Sequence, residues 1–438
     1  MSRPEPVDHP LSIWIVNPLD DIPGEHFPAQ RAWSLARLLA ARGHDVTWWS
    51  ATWSHRRKTI RTAPLDVRDD EGFAVRLVAV RRYDREMSLA RFASHRDFGR
   101  TFERLANESI ASGQLERPDI ILASMPPIDG PEAAARLAKR LDAEFVVDLL
   151  DVWPEALGPW LPKSPLIRGI VRPFLLGSMQ RRRDAAIAAA DAIAAPSQAV
   201  LDAMPVAAGA DVPKHLCPLG AYPQQFPAPP RFLNHVPAPE GLQLPQRHAA
   251  NNGQALECVH AGTLGADEDL DTLVAAARQL SASGTHATIH VVGDGQRQAP
   301  LRASVASLAG PCRVVMHGAL HREAYVDLLA RCDAGLVLTR PESVTSIPYE
   351  ASDYAAAGLA VVSGLPADLD RAIVDQGAGM RYAPGDPTSL AGAIKTLAND
   401  RQGLLARRQA ARRFAETTLD REKLMNAFAD WLESLRAS

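Results

Sequence analysis

Short apolar runs alternate with amphipathic segments along most of this chain. The first run is LSIWIV, Leu11–Val16, and the amphipathic segment AQRAWSLARLLAARG follows it and ends at Gly43. The next run, HDVTWWS, begins directly after that glycine. A buried strand, a helix that ends at glycine and a second strand make a βαβ unit, and its right-handed crossover makes the two strands parallel.

The same alternation continues in two blocks separated by a stretch rich in proline. Further strands of the first block are predicted at Asp119–Ser124, Phe145–Asp151 and Asp191–Ser197. Strands of the second block are predicted at Leu256–Gly262, Ala287–Gly295, Cys312–Gly318 and Asp333–Thr339. Helical patterns lie between these strands, so the sequence predicts an α/β protein with two Rossmann-like domains, each built on a parallel sheet.

The domain boundaries follow from composition. Residues 221–254 are dense in proline and polar side chains, which is typical of a linker. We therefore expect an N-terminal domain at 1–220, a linker at 221–254 and a C-terminal domain at 255–415. The amphipathic segment at 416–438 predicts a last helix that crosses back to the N-terminal domain.

Charge and cysteine usage exclude several classes of protein. The chain has 438 residues and a formal net charge of −3, which argues against a protein that binds nucleic acid through bulk positive charge. Its four cysteines lie far apart without metal-ligand spacing and are interpreted as buried thiols in a reducing compartment. The polar N-terminus and the lack of a long apolar run predict a cytoplasmic protein, at most peripheral on the inner face of a membrane.

Two glycine-bearing turns follow strands of the second block. Gly262, Thr263 and Gly265 follow the first of these strands, and Gly293 and Gly295 follow the second, with Arg297 close behind. Glycines between a strand and a helix N-terminus let backbone amides approach a phosphate closely. Each turn by itself is equally compatible with an ordinary connection between strand and helix.

The segment RPESVTSIPYEASDYAAAGLAVVSG, which starts at Arg340, carries the acidic residues of the second block. Glu342 and Glu350 stand eight positions apart, and Asp353 follows one helical turn later. A loop with acids, a helix N-terminus and an apolar strand are typical of a site for a phosphorylated ligand in an α/β fold.

The order of these pieces over residues 256–395 resembles the donor-binding domain of family 4 glycosyltransferases. In the first block, VDLLDVWPEALG resembles a segment of the subgroup that builds surface polysaccharides and lipopolysaccharide. The resemblance implies a GT-B fold whose two parallel sheets face a central cleft. It also implies retaining transfer of a sugar from a UDP- or GDP-sugar donor to a saccharide or lipid-linked acceptor, without a cofactor or nucleic acid.

The resemblance assigns roles to the acids. The spacing of Glu342 and Glu350 resembles that of the paired acids of the family. In the family, however, the second acid lies five residues before a glycine, and counting back from Gly358 gives Asp353. The resemblance therefore implies that Asp353 is the ribose ligand. Related polysaccharide transferases have lysine where Glu350 stands, so Arg340 or Arg297 would stabilise the departing phosphates. Solvated positions for Glu342 and Glu350, and a helix-dipole role for Asp353, remain open.

In the first block, the loop containing Gly24, Glu25 and His26 lies where the family binds the acceptor or approaches the donor phosphates, although His26 is equally compatible with a plain polar loop residue. Asp151 follows a predicted strand, which makes it a candidate catalytic acid, although it could equally cap the next helix. No D-x-D motif ends a strand, and no metal site is predicted. The basic stretch 81–100 and the helix predicted at 164–183 could contact an anionic membrane, or 164–183 could simply pack on the sheet.

The sequence therefore favours a glycosyltransferase in surface polysaccharide or glycoconjugate assembly, with Asp151, Glu342 and Arg340 as its catalytic residues. Because Glu350 stands where related transferases have lysine, a second interpretation remains open. In it, the chain is a catalytically weak family member that binds a nucleotide sugar and supports an assembly complex. A sugar-nucleotide epimerase of the same shape is a third possibility.

Overall fold

The structure is a computed structural model of the chain. It describes residues 9–25, 30–61, 66–68, 72–85, 88–155, 157, 165–204, 212–227, 255–265, 268–341, 348–365 and 373–436, without the side chains of 66–68 and 165–175. Contacts divide the chain into unit 1, Met1–Pro218 with Lys423–Ser438, and unit 2, Leu219–Glu422. Most of the predicted linker lies outside the described residues.

Unit 1 is built on one large twisted sheet. The strands of unit 1 are β1 Ser12–Val16, β2 Asp45–Ala51, β3 Trp53–Ser54, β4 Thr59–Ile60, β5 Asp66–Arg68, β6 Ala74–Val78, β7 Ile120–Met125, β8 Glu144–Leu149, β9 Ala192–Ala195 and β10 Lys214–Leu216. All of them except β3 and β4, which pair with each other, belong to the large sheet. The helices of unit 1 are α1 Arg31–Ala41, α2 Leu89–Ala111, α3 Asp129–Leu141, α4 Pro165–Ala188 and α5 Gln198–Ala203.

The strand order of this sheet is β10-β9-β8-β7-β1-β2-β6-β5, and β1 lies between β2 and β7. Neighbouring strands are parallel except at the edge, where β5 runs antiparallel to β6. Apolar side chains cover both faces, which explains why the central strands read as continuous apolar runs. The predicted parallel sheet is confirmed, but the apolar pattern did not predict antiparallel β5 or the small hairpin of β3 and β4.

Unit 2 holds a second sheet, of order β13-β12-β11-β14-β15-β16, with all strands parallel. Its strands are β11 Leu256–Ala261, β12 Ala287–Val292, β13 Cys312–Gly318, β14 Ala334–Val337, β15 Ala360–Ser363 and β16 Gly379–Arg381. Its helices are α6 Leu270–Ala282, α7 Gln298–Ala306, α8 Arg322–Arg331, α9 Tyr349–Ala356, α10 Pro387–Asn399 and α11 Arg401–Thr417. Apolar clusters cover both faces here too, so each unit is a doubly wound α/β domain, as predicted.

The last helix, α12 Arg421–Ser434, begins in unit 2 and continues in unit 1. In unit 1 its Phe428 ring stacks on His215 at a centroid distance of 5.4 Å, and Arg42 donates to Asp430 at 2.6 Å. The four cysteines are buried free thiols. Among the helices that the structure describes, none is long and apolar enough to cross a membrane.

Candidate functional site

The candidate donor site lies where the chain reverses its direction across the unit 2 sheet. Strand β11 pairs with β12 on one side and with β14 on the other. In open α/β sheets, ligands bind outside the carboxyl ends of the strands at such a switch point. The loops that follow β11, β12 and β14 carry most of the donor residues predicted from the sequence, and they therefore converge on one edge of unit 2.

The glycines of the first two loops allow direct backbone contact between those loops. Gly262 N donates to Val292 O at 3.1 Å, and Leu264 N donates to Asp294 O at 2.9 Å. A Cβ on Gly293 would lie 1.9 Å from Gly262 O, and one on Gly295 would lie 2.4 Å from Leu264 O. Because no side chain fits between the loops, the glycines are required for this packing.

We define residues 262–265 and 293–295 together as the glycine cradle. Two further features make this cradle suitable for binding an anion. Thr263 is exposed at its outer side. Helices α6 and α7 follow the two loops, and the free N–H groups of a helix N-terminus favour negative charge.

Tyr354 of α9 anchors the end of β11. Its hydroxyl oxygen accepts a hydrogen bond from Ala261 N at 2.7 Å, and its side chain is fully buried. Gly335 of β14 makes room for the ring, because a Cβ there would lie 2.2 Å from Cδ2 of Tyr354. This contact fixes α9 against the strand that carries the cradle.

Two carboxylates lie beside the cradle. A Cβ built on Gly262 would lie 3.4 Å from Oε1 of Glu268 and 3.9 Å from Oε1 of Glu350. Burial, helped by the nearby charge of Asp353 and opposed by a hydrogen bond from its own backbone N–H, raises the pKa of the Glu350 carboxyl to about 7. The candidate site therefore has an acid that titrates near neutral pH at the position where related transferases carry lysine.

Asp353 lies against helix α8. Arg322 donates to its Oδ2 at 2.8 Å, and the Arg322 guanidinium stacks over the Phe226 ring at 4.9 Å. Burial raises the pKa of Asp353, while Arg322 acts in the opposite direction. The predicted ribose ligand thus already has a charged partner, which would orient its carboxylate.

The two predicted phosphate-binding arginines share one carboxylate. Arg297 donates to Asp271 Oδ1 at 2.6 Å, and Arg340 lies 3.7 Å from Asp271 Oδ2. The Asp271 side chain is 73% exposed, so this pairing is weak and an incoming anion could compete for both cations. Glu342 lies outside the described residues.

Among the acceptor candidates of unit 1, Glu25 is already engaged in hydrogen bonds within the fold. Glu25 is buried, accepts two hydrogen bonds from Arg61 at 3.1 and 2.9 Å, and accepts a third from Ile22 N. Gly24 has a positive φ of 84°, and a Cβ there would meet no atom of the described residues within 4 Å. His26 lies outside the described residues.

Asp151 follows the carboxyl end of β8. Its Oδ1 accepts from Val152 N at 2.7 Å, so part of this carboxylate stabilises the local turn. Among the residues that the structure describes, no three histidine, cysteine, aspartate or glutamate side chains are placed to hold a metal ion.

Sequence reasoning missed His260 and Glu268. His260 Nδ1 lies 3.1 Å from Leu336 O, and its Nε2 lies 3.4 Å from Glu268 Oε2. Burial lowers the pKa of His260 to about 4. The available signal was a histidine inside the mostly apolar strand LECVHA, one residue before its terminal alanine and two before the first cradle glycine.

Comparisons with known proteins identify the family of each unit. A family model described as glycosyl transferase 4-like domain matches residues 28–211, and one described as glycosyl transferases group 1 matches residues 255–400. Together they span about three quarters of the chain. A search of curated proteins finds no match.

Solved structures resemble the whole chain at low sequence identity, which supports the fold. Sucrose-phosphate synthase from Thermosynechococcus elongatus is 14% identical with a TM-score of 0.70, covering 98% of this chain and 99% of its own. HepE from Anabaena in complex with UDP-glucose is 15% identical with a TM-score of 0.65, covering 97% and 100%. WaaG, a glycosyltransferase involved in lipopolysaccharide biosynthesis, is 15% identical with a TM-score of 0.60, covering 95% and 98%.

The chain therefore belongs to the glycosyltransferases, with the GT-B fold, a glycosyl transferase 4-like domain in unit 1 and a glycosyl transferases group 1 domain in unit 2.

Proposed function

We propose that this glycosyltransferase moves a sugar from a UDP- or GDP-sugar to a saccharide or lipid-linked acceptor with retention, in surface polysaccharide or glycoconjugate assembly. The observation that carries the proposal is the glycine cradle at the switch point of the unit 2 sheet. HepE, a structural neighbour, binds UDP and UDP-glucose, and WaaG acts in lipopolysaccharide biosynthesis, which supports the donor class and the pathway.

Unit 2 binds the donor in this proposal. The N–H groups of Gly262, Leu264, Gly265 and Gly293 donate to carbonyl oxygens within unit 2, so the diphosphate contacts the remaining amides of the cradle. Arg297 and Arg340 exchange Asp271 for the phosphate oxygens, and Asp353 accepts hydrogen bonds from the ribose diol. A carboxylate suits that last role because it accepts two hydrogen bonds at once. The contact with Arg322 supports the role, since it orients the Asp353 carboxylate and opposes the rise in its pKa that burial causes.

Unit 1 binds the acceptor, through the loop that contains Gly24, Glu25 and His26. Retention without a protein nucleophile requires the departing phosphate to remove the acceptor proton, so catalysis rests on positioning and on charge stabilisation. Arg340 would stabilise the leaving group, while Asp151 and Glu342 would orient the reacting hydroxyls.

The donor assignment is tested by Asp353→Asn. We expect this substitution to weaken binding of UDP or GDP, whichever the parent protein prefers, by roughly 10- to 100-fold, because the loss of a charged hydrogen-bond acceptor costs about 1.5–3 kcal/mol. Isothermal titration calorimetry measures the affinity, and nucleotide release from a panel of UDP- and GDP-sugars with lipid-linked acceptors measures turnover.

Asp327→Asn, a substitution of the same kind on α8, is the control and should bind as the parent does. Unchanged affinity in Asp353→Asn would place the ribose elsewhere. Tight nucleotide binding without release from any donor would indicate a binding protein and not a transferase.

A basic surface of unit 1 supports contact with an anionic membrane. Leu89, Arg96 and Arg100 lie on one side of α2 because they recur at helical spacing, and Leu89 is 86% exposed. Arg81 donates to Asp97 at 2.6 Å, which holds the preceding segment beside this helix. The other exposed arginines of this segment and of the β3–β4 hairpin are Arg56, Arg57, Arg82 and Arg85. In contrast, Arg182 and Arg183 of α4 are paired with acids of unit 1.

Charge reversal tests this contact. We expect Arg96→Glu with Arg100→Glu to reduce binding to vesicles that contain anionic lipid at least tenfold, since each basic residue near such a surface contributes about 1 kcal/mol. Co-sedimentation measures the binding, with purely zwitterionic vesicles and the exposed unit 2 variant Arg413→Glu as controls. Equal binding by the double variant would argue against this surface.

A further inference from the structure

The donor site carries negative charge at the point where a diphosphate would bind. Glu268 and Glu350 both present an Oε1 atom to the open side of Gly262. Gly262 belongs to the cradle, and although its own N–H donates to Val292 O, the remaining cradle amides and the N-termini of α6 and α7 suit an anion. A diphosphate that binds there would approach two carboxylates, and like charges at such short range repel strongly outside bulk water.

His260 does not supply a cation to offset this charge. Its side chain is 1% exposed, and because a carbonyl oxygen can only accept, Nδ1 carries the proton and donates to Leu336 O. In the neutral ring Nε2 then carries a lone pair and can only accept a hydrogen bond. No group of the described residues donates one to it. This nitrogen faces Glu268 Oε2 at 3.4 Å, so an acceptor faces an acceptor.

The described groups around Glu350 add little positive charge. It interacts with the Tyr354 hydroxyl and with Asp353 on its own helix, and with Tyr325 on α8. Other charged or titratable groups of the described residues in this part of unit 2 include Glu268 and His260 beside the cradle, Arg322 paired with Asp353, and Arg421 over the Tyr349 ring. Arg297 and Arg340 both contact Asp271.

We propose that Glu350 takes up a proton when the diphosphate of a nucleotide binds in the cradle, so that donor binding by this protein is proton-coupled. This inference rests on the proposed nucleotide-binding function of unit 2 and adds its regulation. Protonation removes the repulsion and converts the carboxylate into a hydrogen-bond donor for a phosphate oxygen. In the absence of nucleotide Glu350 titrates near neutral pH, which makes the proton available at low cost.

The sign of the pH dependence follows from linkage. When binding raises the pKa of a group, the affinity falls as the pH rises above the pKa that this group has in the free protein. For Glu350 this begins at about pH 7. Affinity should therefore fall close to tenfold between pH 7.5 and 8.5, a range in which the terminal phosphate of UDP, with a pKa of about 6, is already ionised.

Calorimetry of UDP and GDP binding tests the proposal. Titrations at pH 8 in buffers of different ionisation enthalpy should show uptake of about one proton per nucleotide bound by the parent protein. Glu350→Gln should abolish the uptake, remove the pH dependence and bind more tightly than the parent at pH 8.5. Glu268→Gln should keep the uptake, and Glu323→Gln, on the exposed side of α8, should match the parent throughout.

Each outcome has a separate meaning. Nucleotide binding without proton uptake in the parent would overturn the coupling and leave the proposed donor function intact. Uptake that persists in Glu350→Gln but disappears in Glu268→Gln would overturn the assignment to Glu350. If the parent binds neither UDP nor GDP between pH 6 and 8.5, the proposed donor function itself fails.

Discussion

Gly293→Ala is expected to abolish nucleotide binding and to destabilise unit 2. The new Cβ would lie 1.9 Å from Gly262 O, and the backbone at this position has a φ of 127°, which side chains other than glycine rarely adopt. Because the obstructing atom belongs to the backbone, the two loops must separate. We expect the free energy of unfolding of unit 2 to fall by roughly 3 kcal/mol and the affinity for UDP or GDP to fall more than 100-fold.

Gly265→Ala is the matched control. It lies in the same cradle, but a Cβ there meets nothing closer than 3.7 Å. Calorimetry of nucleotide binding and thermal unfolding should therefore show a small effect for Gly265→Ala and a large one for Gly293→Ala. Equal nucleotide affinity in the two variants would show that the nucleotide does not depend on the packing of these loops.

The unit 2 strands were predictable because their signal is local. Runs such as LECVHA and ATIHVV are mostly apolar and bounded by turn residues, and these strands begin and end within three residues of the predicted limits. Antiparallel β5 and the β3–β4 hairpin were not predictable. Their segments of two or three residues are too short to show a period, and their pairing depends on neighbours in the fold.

The glycine cradle could be inferred from the sequence, but the electrostatics around it could not. Glycines after strands mark close backbone approach wherever they occur. Glu268 and Glu350, which both approach Gly262, are 82 positions apart in the chain. Arg322 and Asp353, which contact each other, are 31 positions apart. No local sequence pattern predicts which distant side chain will contact a given carboxylate.

Glu25 illustrates the same limit in unit 1. Its position in the loop after β1 suggested an acceptor ligand, yet the structure surrounds it with Arg61 and the Ile22 amide. A carboxylate that accepts three hydrogen bonds mainly stabilises its own loop. Its role toward an acceptor remains a prediction, and Arg61 explains why a buried acid is tolerated there.

Arg31→Met is expected to be the most destabilising single change in unit 1. Nε and Nη2 of Arg31 donate to both oxygens of Asp148 at 2.7 and 2.8 Å, and each side chain of the pair is only 3% exposed. The guanidinium also donates to Cys217 O and stacks over Phe428 of α12 at 4.8 Å. Removing the arginine leaves a buried carboxylate without its partner, so the free energy of unfolding should fall by about 3–5 kcal/mol.

Tryptophan fluorescence during urea unfolding measures this loss selectively, because all eight tryptophans belong to unit 1. Arg104→Ala is the control: Arg104 pairs with Glu108 on the surface of α2, and its loss should cost about 0.5 kcal/mol or less. Arg31→Met combined with Asp148→Leu should regain most of the stability, since it removes both charges. A double variant as unstable as Arg31→Met alone would show that the stability is lost with the contacts of Arg31 to Phe428 and Cys217 O, and not with the partner of the buried Asp148 carboxylate.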